Sequence, residues 1–318
     1  MPTPDLAGRV IDVPGSISNL GPGFDAVSVA VALYLRVTIG RVDAGAPDTI
    51  AFEFDGPAPD GENRIASAFA LARTKIGQSV PGLHVRVKSD IPMRGGLGSS
   101  AAATIAGFRL YEALTTPRRP ADWIALACDL EGHPDNAAAA VLGGLTTSCR
   151  RDDGSVIAHA TAWPDRLKLV VATPHAELAT SKARGVLAAS IPMRDAVYNL
   201  QRALLLFRAL EAGSDDELRE AFRDRWHQPA RTPLVPGLAE ALALDDPSVL
   251  AACLSGAGPS ILVVSDHRAP RAATLLGGVY EKLAMPYTIR TLAAHPPLGR
   301  RWGQTGVAPG SDPGATPV

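Results

Sequence analysis

Residues 91–101 read IPMRGGLGSSA, three glycines and two serines between a strand-like run and an alanine-rich one. Upstream, Leu83, Val85 and Val87 alternate with His84, Arg86 and Lys88, the period-2 pattern of a half-buried strand. Downstream, Ser99–Leu114 is rich in alanine and uninterrupted, which predicts a helix that packs closely. The glycines therefore form a strand-to-helix turn. Such a turn suits a phosphate group: amide N–H groups point outward, the helix dipole favours negative charge, and missing Cβ atoms let oxygens approach. Ser99 and Ser100 then stand where hydroxyls reach phosphate oxygens or a bound metal.

The same residues also fit two plainer patterns. Glycine and serine favour tight turns and helix caps for conformational reasons alone. Gly96-Leu97-Gly98-Ser99-Ser100-Ala101 also matches the GxGxxG/A dinucleotide fingerprint. That fingerprint requires an acidic residue closing a second strand about 20 residues on. Here Glu112 falls within the same helix and Asp122 opens the next one, so the second half of a dinucleotide site is missing. A Walker loop is excluded, because no lysine follows the glycines.

The chain has 318 residues, 46% of them apolar, enough for one large or two medium globular domains. Net charge is −1 and neither sign forms a long run, which argues against a nucleic-acid track or a polybasic membrane patch and for small-molecule partners. Cys128, Cys149 and Cys253 are odd in number and far apart, with no CxxC pair, so neither a disulfide framework nor a metal knot is expected. The N-terminal MPTPDLAGRV lacks the basic and apolar regions of a signal peptide, and no apolar run approaches the ~18 residues of a membrane span. A soluble cytoplasmic protein is expected.

Further strands are predicted at Val10–Val13, Val27–Ile39, Lys168–Thr173 and Ile261–Val264. Helices are predicted at Pro120–Asp129, from Pro134 to the Gly143-Gly144 stop, and at Arg194–Ala212, Asp215–Arg225 and Arg271–Leu283. Asp135 lies in the first turn of the second of these, at the positive end of its dipole. The class is α+β. The charged, proline-bounded stretch Arg150–Pro164 marks the expected boundary between domains at 1–160 and 161–294. From His295 onward ten of 24 residues are proline or glycine, so 295–318 is expected to be a disordered tail.

Two more glycine-bearing segments flank the central one: VPGSISNLGPGFDAV at 13–27 and LSGAGPSILVV at 254–264. With PMRGGLGSSAAA they resemble, in order, the signature motifs of the GHMP kinases, small-molecule kinases that include galactokinase, homoserine kinase, mevalonate kinase and phosphomevalonate kinase. SNLGPGFD (18–25), LEGHPDNAAAAVLGG (130–144), ATSKARGVL (179–187) and RTPLVP (231–236) resemble the homoserine kinase branch.

The resemblance implies a GHMP kinase fold, with an N-terminal domain like ribosomal protein S5 domain 2, a ferredoxin-like C-terminal domain and substrates in the cleft between them. It implies ATP and Mg²⁺, and transfer of the γ-phosphoryl group to the side-chain hydroxyl of L-homoserine in threonine biosynthesis. Other outcomes within the resemblance are another small alcohol (L-threonine, a mevalonate-like acceptor or a sugar), or a non-catalytic nucleotide-binding relative. It places the nucleotide along Pro92, Arg94, Gly95, Gly96, Leu97, Gly98, Ser99, Ser100 and Ala101, with Thr180 beside it. Asn63 would face the adenine, or else serve as a cap or turn residue. Glu131 and Ser99 would hold the metal, with Asp129 as the alternative carboxylate.

An amino-acid substrate asks for arginine forks on its carboxylate and oxygens on its ammonium. By resemblance Arg184 and Arg231 form the carboxylate clamp, while Asn19, Asp25, His133, Asn136 and Gly256 surround the rest. Catalysis would fall to Ser99, Glu131, Asp135 and Asn136. Mevalonate kinase-like members pair an aspartate matching Asp135 with an N-terminal lysine, but this chain has no lysine before Lys75. It also reads GSISN where relatives commonly have an ATSAN-like run, and Ala26-Val27-Ser28 where a glycine-containing segment is usual. A homodimer is usual among similar enzymes.

Overall fold

The computed structural model describes residues 6–56, 58–59 and 61–298. The first half is a sheet built on one long strand. β1 (Val10–Ser18) runs antiparallel to β2 (Val27–Asp43), from Val10 opposite Thr38 to Ser18 opposite Ser28. β2 also pairs with β4 (Gly82–Ser89) and β5 (Leu145–Arg150), while β3 (Ile50–Phe54) and β6 (Val156–Thr161) form the edges. Only β3 and β4 are parallel among these pairs. Four helices pack against this sheet or one another: α1 (Arg64–Ile76), α2 (Ser99–Ala113), α3 (Pro120–Glu131) and α4 (Asp135–Leu142). The alanines of α2 let its neighbours come close, and a Cβ on Gly107 would lie 2.3 Å from the Ile65 carbonyl of α1.

The second half runs β7 (Lys168–Pro174), α5 (Thr180–Gly185), α6 (Met193–Ala212), α7 (Asp215–Ala221), α8 (His227–Arg231), α9 (Leu238–Leu242), β8 (Ala251–Leu254), β9 (Ile261–Ser265), α10 (Ala269–Lys282) and β10 (Tyr287–Leu292). Its antiparallel sheet has the order β10-β7-β9-β8, the ferredoxin-like arrangement. β7 explains how the halves cohere. Leu169 and Val171 face the core shared with Ile17 and Phe108, while Val170 and Ala172 face a second core with Leu276 and Tyr280. With both faces covered, the strand reads as an unbroken apolar run rather than an alternating one.

Several boundaries differ from the sequence expectation. Arg150–Pro164 contains β6, paired along its whole length with β5, and the charges of the stretch, Arg150 to Asp153, lie at the end of β5 and in the exposed turn that joins the two strands. α7 stops at Ala221, and Asp224 instead serves the start of α8, its Oδ1 accepting from the Trp226 amide (2.9 Å) and its Oδ2 from the Gln228 amide (2.7 Å). The tail is not disordered from His295: the His295 amide donates to Ala30, the Gly144 amide to His295, and the Leu298 amide to Leu142. β2 leaves β5 after Val29, and these residues take up the backbone groups that the parting strands leave open. Residues 299–318 lie outside the described residues. Among the described residues no helix is long and apolar enough to cross a membrane.

The loop between β1 and β2 reaches across to the second half. Gly21, at φ +79°, lies so close to the chain after α7 that a Cβ would come within 2.1 Å of the Phe222 carbonyl. Gly21→Ala combines backbone strain with this clash, so its unfolding free energy in denaturant is expected to fall by about 2 kcal/mol or more. An unchanged midpoint and slope would contradict the contact.

Candidate active site

α2 begins at Gly98, a left-handed residue (φ 73°) with no side chain to cap the helix. Its first intrahelical bond runs from the Ala102 amide to the Gly98 carbonyl, which leaves the amides of Ser99, Ser100 and Ala101 without a helical acceptor. These three residues line a cavity between the two halves of the molecule. Gly96 and Gly98 are glycine for a contact reason as well. A Cβ on Gly98 would stand 2.2 Å from Ser16 Oγ, and one on Gly96 2.6 Å from the carbonyls of Ser255 and Gly258. The three glycine-bearing segments, far apart in sequence, are thus pressed into one layer. Hydrogen bonds close it: the Ser16 amide donates to Leu97 O (3.0 Å), Ser255 Oγ to Gly96 O (2.6 Å), and the Ser260 amide to Gly95 O (3.3 Å).

Gly96, Gly98, Ser99, Ser100 and Ala101 line the cavity together with Arg94 and Thr180. Pro92, Gly95 and Leu97 do not; Leu97 is fully buried and only its backbone serves the layer. Asn63 caps α1, its Oδ1 accepting from the amides of Ile65 (3.1 Å) and Ala66 (3.3 Å), and it does not line the cavity.

Glu131, the last residue of α3, also lines the cavity. Its Oε1 accepts from Ser100 Oγ (2.6 Å) and Thr104 Oγ1 (3.2 Å). The sequence pairs Glu131 with Ser99, but the hydroxyl bonded to it is that of Ser100, one residue and about 100° further round the helix. Asp129 points elsewhere, into an ion pair with Arg150 (2.8 Å), and is not among the lining residues.

Beyond α3 the chain places three polar residues at the start of α4. His133 Nδ1 donates to Asp135 Oδ1 (2.5 Å), and Asn136 joins both to β1: Ser16 Oγ donates to its Oδ1 (2.8 Å) and its Nδ2 donates to Ser18 Oγ (3.3 Å). Asp135 is 1% exposed, and its Oδ2 has no hydrogen-bond partner among the described residues. A buried carboxylate oxygen with no partner is costly unless a ligand supplies one. Burial by itself pushes the His133 imidazole towards the neutral form, but the bond and charge of Asp135, with Asp25 adding, outweigh it and raise the pKa above the ordinary histidine value.

The opposite wall carries the charged groups. Arg184 holds Asp25 with two bonds, Nη2 to Oδ1 (2.7 Å) and Nη1 to Oδ2 (3.1 Å). Asn19, at φ 74°, donates through Nδ2 to the Gly256 carbonyl (3.0 Å) and accepts from the Asp25 amide (3.1 Å). Arg231 is 1% exposed; burial lowers its pKa to about 10, and the nearby Arg184 charge pushes the same way. It stays a cation at neutral pH. Asn19, Asp25, His133, Asp135, Asn136, Arg184, Arg231 and Gly256 all line the cavity. Sequence reasoning missed Ser18, Leu178, Ala257 and Gly258, which line it too, and Ser16 behind them; a serine inside a strand carries no pattern of its own.

The comparisons agree on one family. The family model described as GHMP kinases N terminal domain matches residues 63–144, and that described as GHMP kinases C terminal matches 206–276. The homoserine kinase of Moorella thermoacetica is 37% identical over 288 residues, covering 89% of this chain and 96% of that protein. A homoserine kinase of Thermus thermophilus is 37% identical over 285 residues, covering 85% and 95%. The chain belongs to the GHMP kinase family. Its fold also matches the crystal structure of homoserine kinase from Cytophaga hutchinsonii, with TM-score 0.77 and 22% identity over 93% of this chain and 97% of the other. L. major mevalonate kinase in complex with R-mevalonate aligns with TM-score 0.65 and 18% identity over 93% and 99%.

In this GHMP kinase the His133 charge depends on Asp135. The contribution that the pair makes to stability is present at low pH and is lost as pH rises through the elevated His133 pKa. NMR titration should put the wild-type imidazole midpoint above 6.5. Asp135→Asn, which leaves burial in place and removes the bond and charge, should bring the midpoint down. A midpoint that stays put would show that Asp135 is not the cause.

Proposed function

We propose that this protein is a homoserine kinase, which moves the γ-phosphoryl group of ATP to the side-chain hydroxyl of L-homoserine to form O-phospho-L-homoserine for threonine biosynthesis. The single observation that carries this is adjacency. One cavity holds an uncapped helix start suited to polyphosphate and, beside it, both arginine and aspartate side chains suited to an amino acid. The curated homoserine kinase relatives support the same acceptor.

ATP phosphates lie against the amides of Ser99, Ser100 and Ala101, with the turn at Gly96 and Gly98 giving close approach. Glu131 and the serine hydroxyls of α2 are hard oxygen donors, the type that Mg²⁺ takes. When bound there, the ion neutralises charge on the phosphates. Arg184 and Arg231 take the substrate carboxylate and Asp25 faces its ammonium, while the Gly256 carbonyl, already accepting from Asn19 and Arg231, holds those two side chains at the cavity. Asp135 Oδ2, without a partner among the described residues, accepts the hydrogen bond of the acceptor hydroxyl and turns its oxygen towards the γ-phosphorus, while Asn136 keeps Asp135 and β1 in register. The new O–P bond forms as the bond to the β-phosphate oxygen breaks, ADP leaves, and the hydroxyl proton departs along its hydrogen bond to Asp135 Oδ2. Phosphoryl transfer depends mainly on such positioning and charge neutralisation.

Purified protein with ATP, Mg²⁺ and separate samples of L-homoserine, L-threonine, mevalonate and galactose, followed by ADP release, tests the assignment. Turnover is expected on L-homoserine above the others. Turnover confined to a non-amino alcohol would overturn it. Glu131→Gln should lower kcat by about 100-fold or more at an unchanged melting temperature.

We also propose a cytoplasmic homodimer. Free thiols at Cys128, Cys149 and Cys253 suit a reducing compartment. On α6 the side chains of Met193, Val197, Leu200 and Leu204 are 79%, 43%, 61% and 64% exposed and form one apolar stripe. Their spacing reads the same in both directions. A second copy packed antiparallel across a two-fold axis therefore sets Met193 against Leu204 and Val197 against Leu200. Light scattering after gel filtration should give a dimer for the wild type and a monomer for the Leu200→Glu/Leu204→Glu double variant; a dimer in both would exclude this face.

A further inference from the structure

We infer that His227, which lies behind the cavity wall and not among its lining residues, is a positioning residue for recognition of the substrate carboxylate. This inference rests on Arg231 meeting that carboxylate, as proposed above. His227 and Arg231 stand one turn apart on α8, and the imidazole is fully buried. Its Nε2–H donates to the Gly21 carbonyl (2.7 Å), which leaves Nδ1 as an acceptor for Arg231 Nη1 (3.1 Å). One ring thus joins the 19–25 loop, bearer of Asn19 and Asp25, to the buried arginine.

The remaining bonds of Arg231 define what this does. Nε donates to Ala183 O (3.0 Å) and Nη1 also donates to Gly256 O (3.2 Å), so Nη2 is the guanidinium nitrogen left without an acceptor among the described residues. A guanidinium has five N–H donors in a rigid plane, so fixing one edge aims the other. Phe24 closes the face: its ring centroid lies 5.2 Å from that of His227 and 5.3 Å from the Arg231 guanidinium carbon. Burial keeps His227 neutral, the form in which Nδ1 can accept from a cation. Asp224, 3.7 Å from Nε2, is occupied with capping bonds and a bond from Asn199. His227 never touches substrate; it determines where Arg231 points.

Two amide variants separate the two ring nitrogens. Glutamine reaches the Nε2 position and keeps the Gly21 bond, whereas asparagine reaches the Nδ1 position and keeps an acceptor for Arg231. His227→Gln should raise KM for L-homoserine about tenfold or more, the usual effect of losing a bond to a charged group, with KM for ATP unchanged and kcat within about threefold. Against 3-aminopropan-1-ol, the same acceptor without the carboxylate, kcat/KM should hardly change. In an Arg231→Met background the His227→Gln change should add no further loss. His227→Asn should largely rescue KM for L-homoserine, and it carries the test if the glutamine variant melts early. Equal losses on both acceptors, an undiminished loss in the Arg231→Met background, or an asparagine variant as poor as the glutamine one would each overturn the positioning role while leaving the kinase assignment standing. A wild-type enzyme inactive on L-homoserine would instead sink the assignment, and this inference with it.

Discussion

The start of α2 is wedged between two segments that belong to opposite halves of the molecule, the Ser16 hydroxyl and amide on one side and the Ser255 and Gly258 carbonyls on the other. β1 presses on Gly98 from one side, and the 255–258 loop presses on Gly96 from the other, each at a distance that leaves no room for a Cβ. The free amides of the helix cannot drift, because the turn that carries them is bonded to both neighbours through Leu97 and Gly96 carbonyls. An anion site made of backbone has little strength unless its N–H groups are held in place before the ligand arrives. That constraint also fixes the cleft. The two sheets share a core through β7, and the glycine layer is where they meet at the surface of the cavity.

The charges in the cavity are paired in advance. Asp25 is bonded to Arg184, Asp135 to His133, and Glu131 to two hydroxyls of α2. Pairing lowers the cost of holding ions in a partly buried space. It leaves specific atoms free for a ligand: the amides at Ser99–Ala101, Asp135 Oδ2, and one edge of Arg231. An amino acid bound as proposed would meet groups already oriented, so that little rearrangement would be needed.

Some of this was open to reading from the chain alone, and the parts that were not have physical reasons. Periodic or breaker-bounded elements such as β4, α2, α3 and β7 stood out because their local pattern and their burial coincide. β6 was passed over as a domain boundary because the charged turn before it and the proline after it dominate the stretch, and the 295–298 segment looked disordered because its two prolines hide its backbone pairing. Asn63 resembled a ligand residue, yet a helix start uses asparagine in the same way. Ser99 and Ser100 could not be ranked, since only the rotation of the helix relative to α3 decides which hydroxyl reaches Glu131.

The sequence by itself determined the chemistry on offer: left-handed glycines where the chain must turn tightly, hydroxyls and carboxylates at helix ends, arginines matched to anions. Those properties are local, set by φ preference, capping and charge. Which groups face one another was decided only by the tertiary structure. The Gly21 and Gly256 carbonyls, His227 and Arg231 come from three separate segments, and their hydrogen bonds exist only because the fold buries these polar groups together between the two halves, where an unpaired donor or acceptor is costly.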